Sequence, residues 1–259
     1  MISSLTNPQI KNLIQLQKKA KARNEQDVFV VEGIKMFFEA KKESIVKAYA
    51  STSFYEEVLN NHKHNLKGYE IEIISDAIFK EVSDTKTPQG IMAIIKKPKY
   101  LLQDIIQDEK ANLLILEDLR DPGNLGTIVR TAEGAGITGI LISKESVDMF
   151  NPKVIRSTMG SIYRMPFVYV EDMITTIKQL KDNNITLFAA HLEGKKSYDE
   201  EDYTGKSGIL IGNEANGLSN EISKLADKLI KIPMSGQVES LNAAVAAAIL
   251  MYEVYKQKR

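Results

Sequence analysis

The chain has 259 residues and a formal net charge of zero, and its 43% hydrophobic and 26% charged residues are typical of a folded protein with a sizeable core. It has no cysteine and only three histidines, which excludes a disulfide framework and makes a metal site unexpected. The longest apolar run, AAVAAAILMY, is too short to span a bilayer, so we expect no membrane association and a cytoplasmic location.

The first 24 residues form a basic segment with the apolar spacing of an amphipathic helix and no acidic residue. Residues 1–100 hold 16 Lys and Arg against 12 Asp and Glu, a net charge of +4, and residues 101–259 hold 18 against 22, a net charge of −4. Because a basic helix can follow RNA phosphates, we predict RNA contacts at Lys18, Lys21 and Arg23. The alternative is a solvated helix face that binds no ligand.

Short apolar runs alternate with helical stretches through the first hundred residues. The runs VFVVEG, SIVKAYA, YEIEII and GIMAIIKK predict strands, and IKMFFEAKK and DAIFKEV predict helices. Lysines cluster around Pro98 and interrupt this pattern near residues 94–104. We therefore predict a small domain over residues 1–100 and a larger one over residues 105–259.

The larger domain has a regular alternation of short apolar runs and helix-length segments. Its predicted strands are NLLILEDL, ITGILIS, MPFVYV, ITLFAAH, GILIGN and LIKIPM. This alternation is typical of an α/β domain with a mostly parallel sheet that helices cover on both faces. In such sheets ligands bind at the loops that follow the carboxyl ends of the strands.

Residues 134–139, GAGITG, match the dinucleotide fingerprint G-x-G-x-x-G and raise the alternative of a nucleotide-binding oxidoreductase. That fingerprint requires a strand before the glycines and a helix after them, whereas here a helix precedes and a strand follows. No acidic residue lies in residues 154–160, where the ribose contact is expected. We interpret Gly134 and Gly136 instead as helix-terminating residues with access to positive φ.

Three polar loops follow predicted strands of the larger domain: DPGNLG from residue 121, GNEANGLS from residue 212 and PMSGQVESLN from residue 233. Each has a structural explanation when taken singly. Asn124 could cap a helix, Ser240 and Asn242 could cap the last helix, and Gly212 and Gly217 could turn the chain. Three such loops at one edge of one sheet favour a binding or catalytic site.

The order of the motifs N-x5-R at residues 124–130, IGNE-x-x-GLS at residues 211–219 and IPM-x6-LN at residues 232–242 resembles the SpoU/TrmH group of RNA ribose 2′-O-methyltransferases. The resemblance covers residues 110–259 and implies a SPOUT fold whose carboxyl-terminal segment forms a deep trefoil knot, an exception to the rule that chains do not knot. The upstream residues are similar to the smaller α/β, ribosomal-protein-like domain that binds substrate in this group.

The resemblance implies S-adenosylmethionine as the methyl donor and no metal. The positions that correspond to the donor-binding residues are Leu192, Gly212, Ile232, Met234 and Leu241. The positions that correspond to the catalytic residues are Asn124, Arg130, Glu214, Ser240 and Asn242.

Arg130 has two open roles under this resemblance. The group's proposed base is the arginine, although guanidinium groups stay protonated in proteins. Arg130 could act as the base after activation by a substrate phosphate, or it could remain cationic, hold the phosphate and stabilise the developing alkoxide. The structural alternative is a surface ion pair between Arg130 and Glu117 or Glu133.

The resemblance also implies the partners. The substrate is expected to be RNA, with ribosomal RNA favoured over transfer RNA, and the final alanine-rich helix is expected to form a homodimer interface. Arg156 and Arg164, which flank STMGSIY, are candidates for further phosphate contacts. The competing hypothesis is a non-catalytic RNA-binding or ribosome-assembly factor with the same fold, and the presence of all five catalytic positions argues against it.

Overall fold

The computed structural model describes residues 1–61 and 65–259. Its helices, in chain order, are α1 (Pro8–Lys18), α2 (Ala20–Gln26), α3 (Ile34–Glu39), α4 (Thr52–Asn61), α5 (Asp76–Val82), α6 (Leu102–Ile106), α7 (Pro122–Gly134), α8 (Pro152–Thr158), α9 (Met173–Asp182), α10 (Asn220–Leu225) and α11 (Ala243–Lys258). Its strands are β1 (Val28–Glu32), β2 (Ile45–Ser51), β3 (Ile71–Ile74), β4 (Ile91–Lys96), β5 (Asn112–Leu116), β6 (Gly139–Ser143), β7 (Phe167–Val170), β8 (Thr186–Ala190), β9 (Lys196–Ser197), β10 (Ser207–Ile211) and β11 (Lys228–Lys231). Every predicted strand is confirmed, and β9 was missed because two residues carry no periodicity.

The contacts divide the chain into two compact units, Met1–Pro98 with Phe150–Tyr163 and Lys99–Met149 with Arg164–Arg259. The larger domain was expected to be continuous over residues 105–259, so the placement of residues 150–163 in the first unit is a correction. Helix α8 packs on β1, and the rings of Phe29 and Phe150 lie 4.9 Å apart. The sequence pattern does not show that residues 150–163 belong to the first unit, because this assignment depends on packing between residues far apart in sequence.

The first unit contains a mixed four-stranded sheet in the order β1-β4-β2-β3. Strand β4 is antiparallel to β1 and β2, and β2 is parallel to β3. Helix α1 buries Ile10, Leu13 and Leu16, which follow one another at three-residue spacing along one helix face. The polar face of α1 therefore stays in solvent while its apolar face completes the core of this unit.

The basic amino-terminal segment breaks at Lys19 into two helices, and this break determines the environment of Arg23. Arg23 is 3% exposed, and its Nη1 donates to the carbonyl oxygens of Leu16 at 2.7 Å and Gln17 at 3.1 Å. Both carbonyls belong to the last turn of α1, where helical partners are absent. The prediction of an RNA contact at Arg23 is therefore wrong, whereas Lys18 and Lys21 are exposed.

The second unit contains a seven-stranded sheet in the order β7-β6-β5-β10-β8-β11-β9, and all its strand pairs are parallel. Strands β5, β6 and β10 are buried along their whole length, as expected for a sheet covered on both faces. The parallel α/β prediction is confirmed. Strands β5, β6 and β7 lie to one side of β10, so the carboxyl ends of β5 and β10 flank a switch in strand order, where open α/β sheets bind ligands.

Two glycines lie at the end of α7, and only one of them has the positive φ expected from the sequence. Gly136 has φ +70°, as predicted, but Gly134 is the last residue of α7 and has no positive φ.

In the described parts of the chain, no helix is long and apolar enough to cross a membrane.

Candidate active site

The candidate site forms where β5 and β10 end side by side. Leu116 and Ile211 are register partners at the last position of their strands, and the amide of Glu117 donates to the carbonyl oxygen of Ile211 at 2.9 Å. The loops at residues 117–121 and 212–219 therefore start next to each other, although about ninety positions separate them in sequence.

Asp121 is the N-cap of helix α7, and its carboxylate accepts a hydrogen bond from the amide of Asn124 at 2.7 Å. Pro122 occupies the first helical turn, where its missing N–H has no cost. The alternative that Asn124 caps this helix is therefore wrong. Because Asp121 is the cap, the side chain of Asn124 is available for contacts outside its own helix.

Glu214 accepts three hydrogen bonds from the turn that leads into α7. Its Oε1 accepts from Asn124 Nδ2 at 3.0 Å and from the amide of Asp121 at 3.1 Å, and its Oε2 accepts from the amide of Arg120 at 3.3 Å. Burial by itself raises the pKa of Glu214, but the hydrogen bonds from Asn124 and the backbone outweigh it and lower the pKa. The carboxylate is thus held in its ionised form as an acceptor.

Asn242 connects the last helix to the same cluster. Its Oδ1 caps α11 by accepting from the amides of Ala244 and Val245 at 2.9 and 3.3 Å, which agrees with the cap expected at this position. Its Nδ2 donates to Asn124 Oδ1 at 2.9 Å. Asn124 therefore donates to Glu214 and accepts from Asn242, and the three residues form one network that joins the first turn of α7, the loop after β10 and the start of α11.

Sequence reasoning missed Glu117, which holds the second loop at its far end. Its Oε1 accepts from the hydroxyl of Ser219 at 2.6 Å and its Oε2 from the amide of Ser219 at 2.8 Å. Ser219 also caps α10 through its hydroxyl. The available signal was the acidic pair ED directly after the buried strand β5.

Asp118 was also missed, although it sets the path of the first loop. It has φ +54°, a left-handed conformation that Asp tolerates better than most residues. The Ser143 hydroxyl accepts from the Asp118 amide at 2.8 Å and donates to its carboxylate at 2.9 Å. Asn213 Nδ2 donates to the Asp118 carbonyl oxygen at 2.8 Å. This residue therefore links β6 and both loops of the site.

Arg130 and Ser240 lie outside the hydrogen-bonded network. Both are exposed, and within residues 1–61 and 65–259 neither side chain has a hydrogen bond or ion pair. The alternative of an ion pair from Arg130 is wrong, because Glu133 pairs with Arg164 and Glu117 binds Ser219. The guanidinium of Arg130 is consequently accessible to a ligand.

The predicted donor-binding residues follow three adjacent strands. Leu192 follows β8, Gly212 follows β10, and Ile232 and Met234 follow β11. Leu192 is 71% exposed, and Ile232, Met234 and Leu241 are half-buried. Apolar side chains left open at the carboxyl edge of a parallel sheet fit an apolar ligand surface.

Position 212 requires a glycine because the backbone of residues 217 and 218 passes close to it. A Cβ atom there would lie 2.1 Å from the carbonyl carbon of Gly217 and the amide nitrogen of Leu218. Asn213 and Gly217 exchange two backbone hydrogen bonds of 3.0 and 2.9 Å across this turn. Substitution of Gly212 would therefore displace the loop that carries Glu214.

The two arginines proposed as further phosphate contacts have acidic partners. Arg156 pairs with Asp84 in the first unit, and Arg164 pairs with Glu133 in the second. Their side chains are 34% and 48% exposed. Contact with RNA at either position stays a prediction, and it would compete with an existing ion pair.

The chain resembles known proteins over nearly its whole length. Residues 111–252 match the SpoU rRNA Methylase family and residues 7–93 match the MRM3-like substrate binding domain. The 23S rRNA (guanosine(2553)-2′-O)-methyltransferase RlmP of Bacillus subtilis (strain 168) is 30% identical over 258 residues, or 98% of each chain.

Solved structures show the same likeness. The AdoMet-bound rRNA methyltransferase from Sinorhizobium meliloti is 31% identical with a TM-score of 0.85, over 98% of this chain and 97% of that one. The SpoU methyltransferase AviRb from Streptomyces viridochromogenes is 25% identical with a TM-score of 0.84, over 97% and 98%.

Proposed function

Because the chain belongs to the SpoU rRNA methylase family, we propose that the network of Asn124, Glu214 and Asn242 is the core of its methyltransferase active site. The activity is S-adenosylmethionine-dependent methylation of a ribose 2′-hydroxyl in ribosomal RNA. One observation carries the assignment of the site: side chains 90 and 118 positions apart in sequence meet through hydrogen bonds at the switch point of a parallel sheet.

The residues at the sheet edge fit the methyl donor. Leu192, Ile232, Met234 and Leu241 would contact its adenosyl part through apolar side chains, and the tight loop at Gly212 would contribute backbone groups. When bound, S-adenosylmethionine supplies an activated methyl group on a sulfonium centre. Ser240, which lies in the exposed loop beside Leu241, would contact the donor or the nucleotide.

Glu214 orients the active site and does not remove the proton from the ribose. Three hydrogen bonds already occupy its oxygens, and its lowered pKa makes it a weak base. Its role is to fix Asn124 and the start of α7 in one geometry. Holding a weak nucleophile in such a fixed frame lowers the barrier, because the entropy of orientation is lost before the reaction.

Arg130 binds RNA phosphate as a cation in this proposal. It is exposed and lacks an ion pair in the described parts of the chain, and a guanidinium that stays protonated can bind phosphate with two parallel hydrogen bonds. The same charge stabilises negative charge that develops on the ribose oxygen.

The first unit presents the RNA, and the second unit forms a homodimer through α11. Lys18 and Lys21 contribute cations to the RNA-binding surface of the first unit. On α11, Val245, Tyr252 and Tyr255 are 48%, 49% and 42% exposed and recur at helical spacing, which is typical of an interface. With ribosomal RNA as its substrate, the enzyme would act in the cytoplasm.

The test is transfer of a labelled methyl group from S-adenosylmethionine to unmodified large-subunit ribosomal RNA. We expect one ribose linkage to become resistant to alkali. Arg130→Ala should lower kcat/KM by about a hundredfold, the scale for loss of one transition-state charge contact, while donor affinity is unchanged. Arg130→Lys should retain part of the activity.

Lys178→Ala is the matched control, because Lys178 is an exposed cation on α9 of the same unit. Full activity of Arg130→Ala would contradict the role of Arg130. Donor binding without methyl transfer to any ribosomal RNA would contradict the substrate, and absence of donor binding would favour the non-catalytic RNA-binding factor.

A further inference from the structure

A cavity of about 330 Å³ lies in the first unit, between α4, the start of α3 and the loop before β4. All its lining residues fall within residues 7–93, the range that matches a substrate-binding domain. Its volume is near the lower limit of about 300 to 1,000 Å³ that is usual for ligand pockets. The cavity therefore suits one small group and is too small for a helical segment of RNA.

The backbone around the cavity is fixed by close contacts. Gly90 has φ +81°, and a Cβ atom there would lie 2.5 Å from Cβ of Phe54 and 2.7 Å from Oγ of Ser51. The buried Ser51 hydroxyl accepts from the amide of Phe54 at 3.2 Å, and Gln89 Oε1 accepts from the amide of Ile34 at 2.8 Å. A ligand would thus enter a preorganised cavity, which reduces the entropy cost of binding.

The chemistry of the walls selects the ligand. Ile34, Phe54, Val58 and Pro88 provide apolar surface, and Ser51, Ser53 and Gln89 add uncharged polar groups. Glu57 adds an exposed carboxylate, which repels phosphate and accepts hydrogen bonds from amino groups. An uncharged planar group with an amino edge satisfies both conditions, and unstacked nucleobases present such a group to proteins.

We propose that this cavity receives one unstacked nucleobase of the ribosomal RNA substrate, a base with an exocyclic amino group that donates to Glu57. This inference rests on the proposed function, because it deepens the role of the first unit in substrate binding. The bound base would anchor the RNA by an interaction that phosphate contacts alone do not supply.

The first test fills the mouth of the cavity. Glu57→Trp in the full chain should raise KM for ribosomal RNA about tenfold, the scale of one lost base contact, with kcat and donor affinity unchanged. Glu56→Trp is the matched control, because Glu56 is the neighbouring exposed residue of α4 and does not line the cavity. Equal KM values for the two variants would overturn the proposal.

The second test does not need methyltransferase activity. Cytidine and uridine share one ring framework, but only cytidine carries an exocyclic amino group. We expect cytidine to shift the backbone amide resonances of Phe54 and Gly90 more than uridine does, and Glu57→Ala to remove this preference, because alanine has no acceptor for the amino group. Absence of any shift with either nucleoside would overturn the proposal even if the chain methylates ribosomal RNA. A chain that binds cytidine there but methylates no ribosomal RNA would contradict the proposed function alone.

Discussion

Acidic side chains around the candidate active site act as hydrogen-bond acceptors that hold its loops. Glu214 accepts from the turn before α7, Glu117 accepts from Ser219, and Asp121 accepts from the amide of Asn124. Ionised carboxylates form stronger hydrogen bonds than neutral acceptors do. The geometry of the loops therefore depends on the charge of these residues as well as on their shape.

Glu214→Gln tests this dependence through pH. The pKa of Glu214 is lower in the folded chain than its ordinary value of 4.5, so the carboxylate stabilises the fold above that value, and this contribution is lost as the pH falls through the folded pKa. We expect the variant to be less stable than the wild type at pH 7 and the difference to shrink on acidification. Urea unfolding at pH 7 and at acidic pH measures it.

The control for this experiment is Glu171→Gln, because the Glu171 side chain is 87% exposed. It should change stability little at any pH. A stability difference for Glu214→Gln that stays constant with pH would show that the charge of Glu214 does not hold the loop.

Substitutions of Arg23 and of its basic neighbours should affect protein stability and RNA affinity separately. Arg23→Met removes two hydrogen bonds to carbonyls of α1 and should lower the free energy of unfolding by about 2 kcal/mol, the scale of hydrogen bonds to a charged group. RNA affinity of the folded protein should not change. The double variant Lys18→Ala, Lys21→Ala should leave the free energy of unfolding unchanged. It should weaken RNA binding and flatten its salt dependence.

Thermal unfolding and RNA binding at several salt concentrations measure both effects. If folded Arg23→Met bound RNA more weakly and with a flatter salt dependence, Arg23 would contact RNA after all, in spite of its burial.

At the scale of elements, the start of α11 is coupled to α7 through Asn242. Its Oδ1 caps α11 while its Nδ2 donates to Asn124. The two functions use different atoms of one amide. An asparagine fits both functions, since aspartate has no donor and the single hydroxyl of serine or threonine lies on a shorter side chain that has no second polar atom to reach Asn124.

Two substitutions of Asn242 separate these functions. Asn242→Ala should destabilise the protein by about 1 kcal/mol, the usual loss on removal of an N-cap, and should lower methyltransferase activity. Asn242→Ser should keep most of the stability because serine caps helices, yet it should lose activity to a similar degree. Calorimetry and methyl-transfer assays provide the comparison, and full activity of Asn242→Ser would show that the contact with Asn124 is not used.

At the scale of the whole molecule, the second unit has an apolar face on α11 that its own fold covers only in part. Val245, Tyr252 and Tyr255 are exposed on α11, and the rings of the two tyrosines lie 5.9 Å apart in an edge-to-face arrangement. Homodimerisation through this face and the trefoil knot expected from the family resemblance both stay predictions.

Tyr252→Asp tests the dimer. A carboxylate in an apolar interface loses hydration without a partner, so we expect the variant to shift from dimer to monomer at micromolar concentration. Light scattering after size-exclusion chromatography measures this shift. Leu59→Asp places the same charge on another exposed apolar residue, 56% exposed on α4, and should leave the dimer intact. A wild-type monomer, or an unchanged dimer in Tyr252→Asp, would contradict the interface.

Local patterns in the sequence were sufficient for much of this description. Period-two and buried apolar runs predicted the strands, their alternation with helices predicted the parallel sheet, and three motifs indicated the loops that hold Asn124, Glu214 and Asn242. These features are local because the periodicity of a strand or helix and the composition of a turn are written in consecutive residues.

Only the tertiary structure decided which partner each polar side chain has. Arg23 belongs to a basic helix by sequence, but a break at Lys19 turns it toward the carbonyls of α1. Glu214 meets Asn124 because β5 and β10 pair in one particular register, and residues 150–163 join the first unit because their apolar side chains pack there. Such contacts depend on strand order and packing between distant segments, so no periodicity along the chain encodes them.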